Sequence, residues 1–214
     1  MIPRSLIAAA TLFAGASTLP AAPPVSPDPS GVAAGTYQAD PTHTLVGWRV
    51  NHMGFNDYFG LFGSITGTLV LDPANLAASR VSIRIPVAKV TTANAGLTGA
   101  LLRPNTVGKA DYFGPRPADA LFVSTKVTPG ADGRSAVIDG KLTLNGKTAP
   151  VTIIATFAGA GKNPITRKQT VGFHGTTTIN RTDWGLSADV PMVGTSVDLS
   201  ISAAFELIPP SKAN

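Results

Sequence analysis

Val197-Asp198-Leu199-Ser200-Ile201-Ser202-Ala203-Ala204-Phe205-Glu206-Leu207 sets an apolar side chain at every second position, with Asp, Ser, Ala and Glu between. Successive side chains of a strand point to opposite faces, so this period of two describes a strand with one apolar and one wet face. The same period holds at Val81, Ile83, Ile85 and Val87, against Ser82, Arg84, Pro86 and Ala88. It recurs at Val46, Trp48, Val50 and His52, against Leu45, Gly47, Arg49 and Asn51. Strand-like runs also cover about 58–71, 119–128, 134–145, 149–159 and 168–180. Asp132-Gly133 and Asn145-Gly146 are short-hairpin dipeptides. The second joins Lys141–Leu144 to Val151–Ile154, with spare residues that predict a loop longer than two.

The count is about eight strands, and 91–113 alone lacks alternation, with a short helix expected over Ala93 to Leu102. Eight antiparallel strands with one wet face close naturally into a barrel, which removes exposed edges. A two-sheet sandwich carries the same alternation, so the pattern by itself leaves both open. The expected fold is all-β: an eight-stranded antiparallel β-barrel with a short helical segment near 93–113.

Bulk composition agrees. Hydrophobic residues make up 43% of the 214 residues and charged residues 14%, against about a quarter charged in ordinary soluble proteins. Much of the chain is therefore expected to face an apolar interior. The formal charge is +5, or +4 once Arg4 is set aside with a leader. The basic residues are scattered and form no run interleaved with aromatics, which argues against nucleic acid as a partner. Transient contact with a membrane surface stays open. There are no cysteines, which excludes disulfides, thiolate metal sites, a cysteine nucleophile and a lipidated N-terminal cysteine.

Residues 1–22 read as a cleavable signal peptide: a basic start through Arg4, an apolar stretch from Leu6 to Phe13, then Ala14-Gly15-Ala16 as a small-x-small site. The apolar stretch is shorter than the ~20 residues of a membrane span. Residues 23–35 read as a Pro-rich linker, stiff and extended, 36–208 as the barrel domain, and 209–214 as a C-terminal tail.

Several landmarks resemble the YceI-like family. They are Tyr37-Gln38-Ala39-Asp40-Pro41-Thr42-His43-Thr44, then His52-Met53-Gly54, Gly60-Leu61-Phe62-Gly63, and Gly67-Thr68-Leu69-Val70-Leu71-Asp72. The most specific is the run from Gly140 to Val151; Ile179–Gly185 and Val193–Val197 complete the set in order. The resemblance covers about 36–208. It implies a lipocalin-like barrel, a periplasmic location, and binding of a polyisoprenoid or similar amphiphile. One stretch departs from the family pattern: between Leu97 and Asp111 the usual histidine before the Asp-Phe-Phe motif is missing, and Pro104 and Gly108 intervene. That segment is expected to cover one barrel mouth.

A polyprenyl chain gains about 0.8 kcal/mol for each CH₂ removed from water and offers almost nothing to hydrogen-bond, so its matching site is a deep apolar tunnel. The inward candidates are Val46, Trp48, Val50, His52, Phe62, Ile83, Ile85, Phe122, Leu142, Leu144, Ile153, Phe173 and Phe205. Each can equally be solid core. The expected partner is an isoprenoid-type lipid or a quinone. His43, Arg49, Arg181 and Asp183 are the remaining polar candidates, with Arg181 and Asp183 read first as an ion pair or turn support.

No catalytic residue, metal or other cofactor is assigned. His43 and His52 are nine apart, an odd separation that puts them on opposite faces of an unbroken strand, with no acidic third ligand at suitable spacing. No Gly-x-Ser-x-Gly elbow is present, and Gly159-Ala160-Gly161-Lys162 lacks the rest of a phosphate loop. The expected role is binding rather than catalysis.

Overall fold

The alternating runs do become strands, and the strands close on themselves. The computed structural model describes residues 25–104 and 112–209. The leader 1–22, the start of the linker, residues 105–111 and the tail from 210 onward lie outside the described residues. In chain order the elements are β1 (Val25–Ser26), β2 (Gly35–Ala39), β3 (Leu45–His52), β4 (Asn56–Phe62), β5 (Thr66–Leu71), β6 (Arg80–Ile85), β7 (Thr91–Thr92), α1 (Ala95–Leu102), β8 (Ala120–Pro129), β9 (Ser135–Leu144), β10 (Lys147–Lys162), β11 (Gln169–Asn180) and β12 (Val193–Leu207).

Antiparallel pairing runs β2-β5-β6-β8-β9-β10. From β10 it continues through β11 to β12, which pairs β2 again. The ring of eight strands is thus complete, which settles the choice between barrel and sandwich. β3 extends β2 along the same edge of β12, and β4 extends β5 in the same way. The expected single strand over 58–71 is therefore broken at 63–65, where Ser64 takes a positive φ of 55°.

Local chemistry sets the turns. Asn145 and Gly146 have φ of 50° and 74°, the left-handed pair that a two-residue hairpin requires. Lys147 faces Leu144 directly across it, so the loop has two residues rather than the longer connection expected. The spare residues Lys147 to Pro150 belong to β10. Pro150 is tolerated because β11 begins to pair β10 only at Ile154, leaving that stretch on an edge. Asp132-Gly133 sits instead in a wider turn between Pro129 and Ser135, where Asp132 accepts from the Arg134 and Ser135 amides. The helix forms where expected, capped by Asn94, whose side chain accepts from the Leu97 N–H at 3.0 Å.

Residues 25–34, within the stretch read as a stiff, extended linker, lie against the barrel. β1 pairs Gly161 and Ala160 of β10, the Tyr37 hydroxyl donates to Ala33 O, and Val32 packs against the core. A side chain at Gly159 would overlap Val25, so that glycine makes room for the docked segment.

The buried side chains form two clusters rather than one. One gathers Tyr37, Leu69, Leu71, Phe157, Val171 and Phe205, at the end where β1 docks. The other gathers Val87, Phe122, Leu142, Leu144, Trp184 and Leu186, at the end carrying α1. Trp184 is 2% exposed and donates its indole N–H to Leu142 O at 3.0 Å, tying the turn after β11 to β9. Trp184→Phe should lower stability by about 2–3 kcal/mol, from an orphaned carbonyl plus lost volume. Urea unfolding should show a lower midpoint at unchanged slope.

Candidate functional site

Between the two clusters the barrel encloses a cavity of about 880 Å³, near the top of the ~300–1,000 Å³ range of small-ligand sites. The interior is therefore not filled by its own side chains. All of Val46, Trp48, Val50, His52, Phe62, Ile83, Ile85, Phe122, Leu142, Leu144, Ile153, Phe173 and Phe205 border it. The strand period explains why: alternate residues of β3, β6 and β12 share the inner face once the ring has closed.

Polar groups collect at the ends. His52, Tyr58, Tyr112, Arg181 and Asp189 border the cavity under α1; Asp28, Ser30, Arg134 and Ser135 border it where the N-terminal segment docks. Between them the buried Thr44 spends its hydroxyl on Ala204, donating to the carbonyl and accepting from the amide. Leu97 and Leu101 of α1, with Phe113 beyond it, line the upper end, and Phe113 meets Phe62 edge-on at 5.9 Å. The described ends of the segment expected to cover one mouth, Leu97 to Arg103 and Tyr112 to Phe113, thus border the lumen.

The polar candidates separate. Arg49 faces outward between Asp57 and Asp198, away from any headgroup in the lumen. His43 is exposed in the 40–44 break and pairs with Asp40 at 2.6 Å, while His52 stacks on Tyr58 at the mouth, with ring centroids 4.4 Å apart. The structure thus keeps the two histidines apart. Arg181 is 5% exposed and is held by carbonyls rather than by Asp183. Its guanidinium donates to the backbone oxygens of Gly194, Leu186, Ala188 and Val193 and lies over the Tyr112 ring. Its role is to knit the 186–194 loop. Burial pulls its pKa below the ordinary arginine value, opposed by Tyr112 and Asp189, yet guanidinium stays charged in proteins. A buried cation ringed by neutral carbonyls thereby stands at the mouth.

Two residues that sequence reading missed shape the lumen. A Cβ on Gly60 would overlap the Trp48 ring, and one on Gly140 would overlap Phe122. Gly60 is the direct cross-strand partner of Trp48, so the indole lies flat over bare backbone instead of standing into the cavity. The cost is a buried Trp48 N–H with no acceptor, about 1–3 kcal/mol. Gly60 follows Phe59 in a run of inward Tyr58 and Phe62; a glycine there, opposite a tryptophan, is the sequence signal.

The YceI-like domain family matches residues 37–205. A UPF0312 protein of Pseudomonas fluorescens is 36% identical over 165 residues, with 75% of this chain and 80% of that protein covered. Among solved structures, BcnA of Burkholderia cenocepacia aligns with a TM-score of 0.62 at 25% identity, over 75% of this chain and 95% of that one. A polyisoprenoid binding domain from Saccharophagus degradans, implicated in plant cell wall breakdown, aligns with a TM-score of 0.54 at 12% identity, over 80% of this chain and 98% of that one, a likeness of fold.

Gly60→Val should lift the Trp48 indole from the wall and shrink the lumen. Uptake of a fluorescent apolar probe should fall by about tenfold or more, equivalent to roughly 1.4 kcal/mol, while far-ultraviolet circular dichroism stays that of a β-barrel. Unchanged uptake would show that Trp48 does not bound the space a guest occupies.

Proposed function

The chain belongs to the YceI-like family, and we propose that it is a periplasmic carrier that encloses a long apolar lipid of isoprenoid type, quinones included, in its barrel lumen. The observation that carries this reading is the apolar cavity of about 880 Å³ inside a closed ring of strands. Burying apolar ligand surface there is worth roughly 25 cal/mol per Å², and the closed sheet lets the wall do so without exposing an edge. The polyisoprenoid-binding relative of like fold supports the ligand class. The leader-like residues 1–22 support export.

Recognition on this reading is mostly by length and shape. The lumen wall offers Ile83, Ile85, Leu142, Ile153 and Phe173, which distinguish guests by fit rather than by hydrogen bonds. A polar headgroup meets the His52, Tyr58 and Tyr112 end, near the Arg181 charge. The protein works by sequestering its guest from water and releasing it chemically unchanged.

Protein purified from the bacterial periplasm, without detergent, should carry an apolar lipid that organic extraction and mass spectrometry identify intact. Delipidated protein should take up a polyprenol or a quinone with one-to-one stoichiometry in native mass spectrometry. A chain that emerges lipid-free and takes up neither compound overturns the carrier role; recovery of chemically altered lipid overturns the binding-only part of it.

A further inference from the structure

Exposed apolar side chains gather at the end of the barrel that α1 covers. Phe55, in the turn between β3 and β4, is 86% exposed; Met53 in the same turn, and Val190 and Met192 in the loop before β12, are 41–52% exposed. The two loops are joined, because the Met53 N–H donates to Met192 O at 2.6 Å. The turn is also braced from within: the Gly54 N–H donates to Asn51 Oδ1 at 2.9 Å and the Phe55 N–H to His52 O. Met53 and Gly54 take φ of 54° and 75°, so the backbone reverses sharply and holds Phe55 out beyond the mouth. Single exposed apolar residues are ordinary; four on two joined loops make a patch. Of the other exposed apolar residues, Ile154 and Val137 sit side by side on the outer wall within strands, and Ile165, 86% exposed, is a single residue on the β10–β11 turn at the opposite end.

The same end is rimmed with cations. Lys89, Arg103, Arg116 and Lys147 are exposed on the segments that run into it. Among the described acids there, Asp57 is answered by Arg49 and Asp119 by Arg84, Asp189 accepts from the Tyr112 hydroxyl, and Asp183 is exposed. An apolar tip flanked by Lys and Arg is the composition that settles into an anionic bilayer surface. The apolar groups reach the acyl boundary and each cation near the surface meets anionic headgroups.

We propose that this rim is a membrane-docking surface, with Phe55 and Met192 inserted into an anionic bilayer so that the mouth under α1 faces the lipid reservoir. The proposal rests on the lipid-carrier reading above for its purpose, and on the exposed apolar tip and its cations for its chemistry. A carrier whose guest is insoluble gains from it, because the guest can pass between bilayer and lumen without crossing water.

The test uses the full mature chain and unilamellar vesicles of phosphatidylcholine with or without phosphatidylglycerol, comparing wild type with Phe55→Ser/Met192→Ser. Neither residue borders the lumen, and circular dichroism checks that both proteins are folded. Wild type should float with the anionic vesicles, more weakly with the neutral ones, and less as salt rises. The double variant should bind at least about tenfold more weakly while taking up a polyprenol from detergent as well as wild type. Absence of wild-type binding to anionic vesicles overturns the proposal. So does a double variant that binds as wild type does, and a patch that instead captures a protein partner would give that result. Vesicle binding without uptake from detergent overturns the carrier reading and leaves the docking surface standing; uptake without vesicle binding does the reverse.

Discussion

The closure of the sheet through β11 is the constraint on which the rest depends. β11 pairs β10 over Ile154–Lys162 and β12 over eleven consecutive positions from Thr170 to Asn180. Once those ladders form, each of the eight ring strands has a neighbour on both sides, and the period of two has only one inside to point to. Alternation that two flat sheets could have used equally well becomes a wall around a space. The width of that space follows from the strand number, since eight strands leave room for side chains or for one slender guest. Which of the two occurs is decided by side-chain volume at a few wall positions.

Gly60 and Gly140 are such positions. They let Trp48 and Phe122 lie along the wall, so two of the largest inward side chains take up thickness rather than diameter. The remaining bulk is drawn to the ends, where Phe157, Phe173 and Phe205 meet edge to face at one and Phe62 and Phe113 at the other. The cores at the ends supply the packing that stabilises a folded chain, and the middle is left free of that duty. Accepting a buried indole N–H without an acceptor is the visible cost of that division.

Much of this was legible in the sequence. The strands around Val46–His52, Val81–Ile85 and Val197–Leu207 follow from local periodicity, which the closed ring reinforces, and the helix over Ala95–Leu102 from its absence; Val87, read with the second of these strands, lies instead in a 3-10 turn. The same periodicity put thirteen side chains on the inner face, and all thirteen border the cavity. What was not legible depends on contacts distant in sequence. That Lys147 to Pro150 belong to β10 rather than to the loop shows only in their pairing with Leu144 to Lys141 of β9. The docking of residues 25–34 comes from room at Gly159, over a hundred positions away. Arg181 read as part of an ion pair or as turn support, and it is support; its four carbonyl partners lie between Leu186 and Gly194, on a path that only the fold defines.

The two ends of the barrel are chemically unequal, and this gives the molecule a direction. At one end the segment from Val25 to Val32 is stitched to β10 and packed on the core, so moving it breaks strand pairing and exposes apolar surface. At the other the cover is a two-turn helix, Ala95–Leu102, with few partners among the strands apart from the short β7. A short helix that packs lightly opens at lower free energy than a paired strand, because local stability tracks the contacts that must be given up. On the carrier reading proposed above, the α1 end is therefore the end through which the lumen exchanges its guest. That is also the end with the buried Arg181 charge and the exposed Phe55, so on the same proposed reading the guest's route, the place for its headgroup and the apolar rim coincide.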